Sequence, residues 1–139
     1  MGAMKMLTGG CACGNIRYQC SGEPIVQLMC HCRDCQRSSG TAFSAMMLFA
    51  SDKFRYLKGE PAFYETVAES GREIRRGFCN KCGSPISAHW PTRPQSLIVA
   101  VSSLDDPSKF DPTLETWVSR AAPWHPFHSS TTKFSEASH

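Results

Sequence analysis

A chain of 139 residues, 41% of them hydrophobic, is of a size for one domain with a modest core. Its formal charge of +3 counts every thiol as neutral; a four-thiolate zinc site would add about −2 and a three-thiolate site about −1, so the working charge falls near zero and a nucleic-acid partner is not expected. No apolar run approaches the roughly 18–20 residues that span a bilayer, and the start lacks the regions of a signal peptide, so the expectation is a cytoplasmic protein without a membrane segment.

In chain order, residues 1–4 read as an expression remnant, because Met4-Lys5-Met6 offers a second start, and residues 5–128 are expected to form a single zinc-binding β domain. Strands are predicted over Asn15–Cys20, Ile25–Met29, Ala42–Phe49, Phe54–Leu57, Ala62–Val67, Glu73–Phe78 and Ser96–Ser102, which are rich in β-branched, aromatic and alternating positions. Turn residues separate them at Gly22-Glu23-Pro24, Lys58-Gly59-Glu60-Pro61, Glu69-Ser70-Gly71 and Pro91-Thr92-Arg93-Pro94. The best helical stretch is Arg33–Ser38, ending where Gly40 can stop it, and Asp105–Phe110 suits a single turn. Residues 129–139 are a polar tail or a surface arm. The fold class expected is mainly β: antiparallel sheets stapled by zinc, with short helical turns.

Eight cysteines in a chain with no export signal are expected to be metal ligands rather than disulfides. Cys11-Ala12-Cys13, flanked by Gly10 and Gly14, and Cys79-Asn80-Lys81-Cys82-Gly83 are two short knuckles. Each can turn two sulfurs inward, and together they complete a closed, structural four-cysteine zinc site. Cys30-His31-Cys32-Arg33-Asp34-Cys35 offers three sulfurs from one short turn and leaves a coordination position open, as catalytic zinc sites do. Three thiolates make zinc a weak activator of water but a good partner for an incoming thiol, so the reaction class expected is thiol transfer to an electrophilic carbon. His31 as a fourth ligand and a redox role for the cluster are the competing readings. A residue between two ligands in a Cys-His-Cys turn usually points away from their metal. Cys20 has no partner at ligand spacing and reads as a buried structural cysteine.

With these residues laid out, the chain resembles the glutathione-dependent formaldehyde-activating enzyme family, which also includes centromere protein V-like proteins. The resemblance rests on Gly9-Gly10-Cys11-Ala12-Cys13-Gly14 with Ile16-Arg17-Tyr18, on Cys30-His31-Cys32-Arg33-Asp34-Cys35-Gln36-Arg37, on Ser39-Gly40-Thr41-Ala42-Phe43, on Arg76 through Ser84, and on Trp117-Val118 leading to Pro123-Trp124. It implies a β-rich, tent-like fold with two zinc ions per chain. The structural one falls to Cys11, Cys13, Cys79 and Cys82, and the catalytic one to Cys30, Cys32 and Cys35. The implied reaction joins glutathione to formaldehyde as S-hydroxymethylglutathione, a carbon-sulfur lyase reaction when written in reverse. The sequence departs from the family at Ser87-Ala88-His89-Trp90-Pro91, where an ordinary apolar strand is expected, and in the basic triplet Arg72, Arg75 and Arg76.

A small thiol and a small aldehyde are therefore the expected partners, with oligomeric state left open. Ser39, Gly40 and Thr41, following the three-cysteine turn, and Arg33 within it are candidate contacts for the thiol substrate, as are Arg37, Arg75 and Arg76. His89, His125 and His128 are candidates for proton transfer, or else they pack beside Trp90, Trp124 and Phe127. The alternative function is a non-catalytic, zinc-stapled binding module for nucleic acid or a protein partner. Its basic footprint is weak, since lysines and arginines are scattered among acids.

Overall fold

The computed structural model describes residues 5–137, so the remnant expected at residues 1–4 and the last two residues of the tail lie outside the described residues. Among the described residues, eleven strands and one α-helix follow in chain order: β1 Met6–Gly10, β2 Arg17–Ser21, β3 Val26–Cys30, α1 Arg33–Ser39, β4 Ser44–Ala50, β5 Phe54–Lys58, β6 Ala62–Val67, β7 Glu73–Phe78, β8 Pro85–His89, β9 Ser96–Ala100, β10 Leu114–Thr116 and β11 Thr132–Lys133. They form a three-stranded sheet, β1-β2-β5, and an eight-stranded sheet in the order β11-β10-β3-β4-β9-β8-β7-β6. No helix among the described residues is long and apolar enough to cross a membrane.

The period-2 alternation of β4 explains how the layers stack. Met47 and Phe49 are buried, together with Val99 of β9 and Ile86 of β8, under Ile16 and under Tyr18 and Cys20 of β2. The intervening residues of β4, Met46 and Leu48, face the other way and join Ile98, Ile74 and Ala88. The three-stranded sheet thus covers one apolar face of the larger sheet, while the opposite face carries apolar side chains with no second sheet upon it. Every β4 position is apolar apart from its first, which is the pattern of a strand with apolar surroundings on both faces.

The mainly β class is as expected, with one change at the end of the large sheet. β10 runs parallel to both β3 and β11, while the remaining pairs are antiparallel. A three-residue strand reached by a long connection has no hairpin to force it antiparallel. Residues 129–137 run along this edge, where the Thr132 N–H donates to the Thr113 carbonyl (2.9 Å) and the Trp117 N–H to the Glu136 carbonyl (3.0 Å). Predicted helix and observed helix agree to one residue, and Gly40 closes α1 in the left-handed region (φ 75°), its N–H donating to the Gln36 carbonyl.

β1 lies close against the core because Gly9 has no side chain. A Cβ there would stand 2.4 Å from the Ser103 carbonyl oxygen and 2.4 Å from the Tyr18 hydroxyl, which is itself hydrogen-bonded to Ser103 Oγ. Gly9→Ala is expected to destabilise by about 1–3 kcal/mol through overpacking, read as a lowered urea midpoint. An unchanged midpoint would show that the strand backs away freely.

Candidate functional site

Two knuckles of similar build bring the first sulfur set together. After β1, the Cys11 N–H donates to the Ile16 carbonyl and the Gly14 N–H to the Cys11 carbonyl. After β7, the Cys79 N–H donates to the Ser84 carbonyl and the Gly83 N–H to the Cys79 carbonyl. Gly14 and Gly83 both take positive φ, 78° and 80°, a conformation that glycine alone adopts without penalty. The Sγ atoms of Cys11, Cys13, Cys79 and Cys82 all lie within 4.8 Å of one another. Cys13 Sγ is 3.6 Å from that of Cys11 and 3.8 Å from that of Cys79.

Tetrahedral zinc with bonds of about 2.3 Å holds its sulfurs about 3.8 Å apart, which the Cys11–Cys13 and Cys13–Cys79 separations match. A disulfide needs about 2.05 Å, and all eight cysteines are free thiols. Backbone N–H groups already point at the sulfurs, Ile16 to Cys11 at 3.2 Å and Lys81 to Cys79 at 3.4 Å. Donors of this kind favour the thiolates a metal requires. Donation from the Ser84 side chain is the largest influence on Cys82, whose thiol is pulled down to about 5.

The second set is built from the end of β3 and the start of α1. Cys30 is the last residue of its strand, Cys32 is the helix N-cap and accepts from the Cys35 N–H (3.3 Å), and Cys35 lies in the first turn. All three are buried, and their sulfurs lie within 4.8 Å of one another. Hydrogen bonds from the Cys32 and Cys35 thiols pull Cys30 down to about 3. Their hydrogen bonds to Cys30 in turn raise both of these neighbours. Three sulfurs this close share essentially one negative charge until a divalent cation lets all of them ionise, so the donor set fits a metal here as well. Arg76 of β7 reaches the cluster, its Nη2 3.9 Å from Cys35 Sγ.

His31 is adjacent to two of these cysteines yet faces away from them. Its Nε2 is 2.8 Å from Glu115 Oε1, and both side chains are fully buried. The imidazole packs edge-on against Phe127 and beside Phe43 and His125. Among the described residues no fourth histidine, cysteine or carboxylate joins the three sulfurs. Glu115 also accepts from the Thr131 hydroxyl (2.5 Å) and the His128 N–H (3.0 Å). Burial by itself would raise its pKa, but these donors and His31 outweigh burial and hold the carboxyl below its usual range. Nothing in the sequence singles out Glu115, which is 84 positions from His31. A lone acid in a three-residue strand carries no pattern.

The three cysteines open on a trough of about 480 Å³ along the uncovered face of the large sheet. Trp117 stands beside them with φ 56°, the one positive value outside glycine among the described residues, and its indole packs against the cluster. Ser38, Ser44 and Arg76 are among the polar groups near this end of the wall.

Arg33, Ser39, Gly40 and Thr41 do not line the trough. Arg33 donates to the Gln36 side chain, Ser39 Oγ bonds the Phe43 carbonyl and receives the Thr41 N–H, and Gly40 serves as the helix cap. His89, His125 and His128 are also off the trough wall; His89 meets the Phe63 ring and His125 that of Phe43. Cys20 is buried in the core, where burial pushes its thiol up to about 12 and keeps it protonated.

A sequence profile described as glutathione-dependent formaldehyde-activating enzyme matches residues 6–120. No curated protein matches the chain. Among solved structures, a Rhodobacter sphaeroides protein from a structural genomics effort superposes with a TM-score of 0.55 at 19% identity, covering 73% of this chain and 93% of the other. At that identity the likeness is one of fold.

Proposed function

The chain belongs to the glutathione-dependent formaldehyde-activating enzyme family, and on that premise we propose that it is a zinc-dependent enzyme joining a thiol, glutathione foremost, to a small aldehyde such as formaldehyde. The product is an S-hydroxymethyl adduct, and the reverse reaction is that of a carbon-sulfur lyase. The observation that carries this reading is the buried three-sulfur cluster, without a fourth protein ligand among the described residues, at the wall of a trough wide enough for substrate.

In this reading Cys11, Cys13, Cys79 and Cys82 hold a structural zinc, and Cys30, Cys32 and Cys35 a catalytic one. Zinc bound by three thiolates supplies a soft centre that favours the ionised form of a thiol while leaving its sulfur nucleophilic. The protein's own contribution is positional. Arg76 offsets the negative charge gathered on the three cysteines, and the hydrogen bond of His31 to Glu115 fixes the turn that presents them. Polar contacts to the thiol substrate pass to Arg76 and Ser38, which line the trough where Ser39 and Gly40 do not; the Ser38 hydroxyl donates to the Cys35 carbonyl and keeps its acceptor capacity. Thiols and formaldehyde combine unaided, so the enzyme has only to gather and orient them. A reducing cytoplasmic setting, which keeps thiols available as ligands, accords with this reading.

The test is exchange of formaldehyde with glutathione followed by NMR, on protein whose zinc has been counted. Parent protein is expected to accelerate exchange, and Cys32→Ser to return it to the uncatalysed rate while keeping the zinc of the four-cysteine site. Equal acceleration by Cys32→Ser would sink the reading.

A further inference from the structure

The trough beside the three cysteines is larger and more apolar than a one-carbon aldehyde requires. Its volume of about 480 Å³ is in the range of pockets that enclose drug-sized ligands. Leu28, Met46, Leu48, Ile98, Ile74 and Phe78, from four strands of one sheet face, supply much of its wall. An apolar body laid there gains about 25 cal/mol for each Å² removed from water. A polar tripeptide laid over those apolar side chains would give up hydration of its amides there, so the thiol substrate keeps to the polar groups at the cysteine end.

The trough is also polarised along its length. Arg72, Ile74, Arg76 and Phe78 line it at alternate positions in and just before β7. Arg76 stands at the Cys35 sulfur, and Arg72, four residues earlier, is about 13 Å away at the rise of an extended strand. At that far end the Trp90 ring carries two cations, Arg72 at 5.7 Å and Arg93 at 6.0 Å from its centroid. Burial and the neighbouring Arg93 both work against the charge of Arg72. Both guanidiniums line the trough there, and an anion that reached them would form charge-assisted hydrogen bonds.

We infer that the trough takes its electrophile as an apolar aldehyde with one anionic group at the opposite end, a medium-chain oxo-carboxylate, its carbonyl at Cys30, Cys32 and Cys35 and its carboxylate on Arg72 and Arg93. The inference rests on the thiol-addition reading and names its substrate class. The thiol S–H adds across the C=O bond: an S–C bond forms, the C=O π bond opens, and the thiol proton ends on the former carbonyl oxygen. No oxidant or reductant takes part.

The binding probe is nonanoate, which has the chain and the carboxylate but no carbonyl electrophile; nonanol is its uncharged counterpart. In calorimetry on zinc-loaded full-length protein, nonanoate is expected to bind saturably and to weaken about tenfold in Arg93→Gln and in Arg72→Gln, with nonanol indifferent to either change. Arg93 stands on an exposed turn, and an unchanged thermal midpoint confirms that its variant is folded. In turnover with glutathione, azelaic semialdehyde is expected to show a KM about tenfold below that of nonanal, its equal in length, an advantage lost in Arg93→Gln. Nonanoate that fails to bind, or that binds parent and variants alike, overturns the inference even where formaldehyde exchange is accelerated. Arginine-dependent nonanoate binding upholds the ligand class even where no aldehyde turns over, and that combination overturns the proposed reaction instead.

Discussion

Cys79→Ser is expected to abolish cooperative folding. Cys79 is fully buried at the end of β7 and is one of four sulfurs drawn from knuckles at opposite ends of the N-terminal two-thirds of the chain. Apparent binding energies of structural zinc are about 10–16 kcal/mol, against a total stability of about 5–15 kcal/mol for an ordinary domain. A serine hydroxyl does not replace a thiolate on zinc, and a metal held there would also close a long loop whose entropy otherwise favours the unfolded chain. The readout is zinc content together with near-ultraviolet circular dichroism. The variant should lack both the four-cysteine zinc and a sigmoidal melting curve, and a strong chelator should reproduce this in the parent. Cys32→Ser, which changes only the open cluster, should still melt cooperatively. A Cys79→Ser protein melting with the parent would show that the knuckles stand without metal.

Glu115→Ala is expected to destabilise the fold by about 3 kcal/mol, since a buried donor left without its acceptor costs about 1–3 kcal/mol and this carboxylate serves several. The carboxylate holds three donors from separate places: His31 Nε2 in the cysteine turn, the His128 N–H and the Thr131 hydroxyl. Lys133 Nζ adds an ion pair at 3.5 Å. Truncation leaves the His31 ring buried without this partner, a larger penalty than the bond itself is worth, and strips the part-buried His128 N–H and Thr131 hydroxyl of their acceptor. Because His31 lies between Cys30 and Cys32, the same change loosens the three-sulfur turn. Urea unfolding should therefore show a lower midpoint, and competition with a zinc indicator should show weakened zinc retention at the three-cysteine site. Loss of stability with unchanged retention would mean that the turn is held by its helix cap rather than by His31.

These two residues mark how unequally the molecule could be read from its sequence. Cysteine knuckles are local: residues two or three apart, with glycines beside them, dictate a tight turn whatever lies around them, and so the Cys11, Cys13, Cys79 and Cys82 set and the Cys30, Cys32 and Cys35 set were both legible. Strands β6 and β7 were legible to the residue, since β-branched and aromatic residues fill most of β6, Ile74 and Phe78 mark β7, and turn residues bound both. Other elements gave no such signal. β1 contains two glycines in five residues, β10 and β11 are three and two residues long, and the edge they form depends on neighbours far away in the chain.

The sequence by itself determined the short cysteine turns, the mainly β class and the single α-helix, because each arises from interactions between residues a few positions apart. Tertiary structure alone decided that His31 turns from the sulfurs to Glu115, that Arg76 comes to the cysteine end, that Arg72 and Arg93 share the Trp90 ring, and that one face of an apolar sheet stays open as a trough. Those outcomes depend on which strands pair and which face the smaller sheet covers. Both are settled by packing the whole chain, a long-range property to which no short window of residues is sensitive.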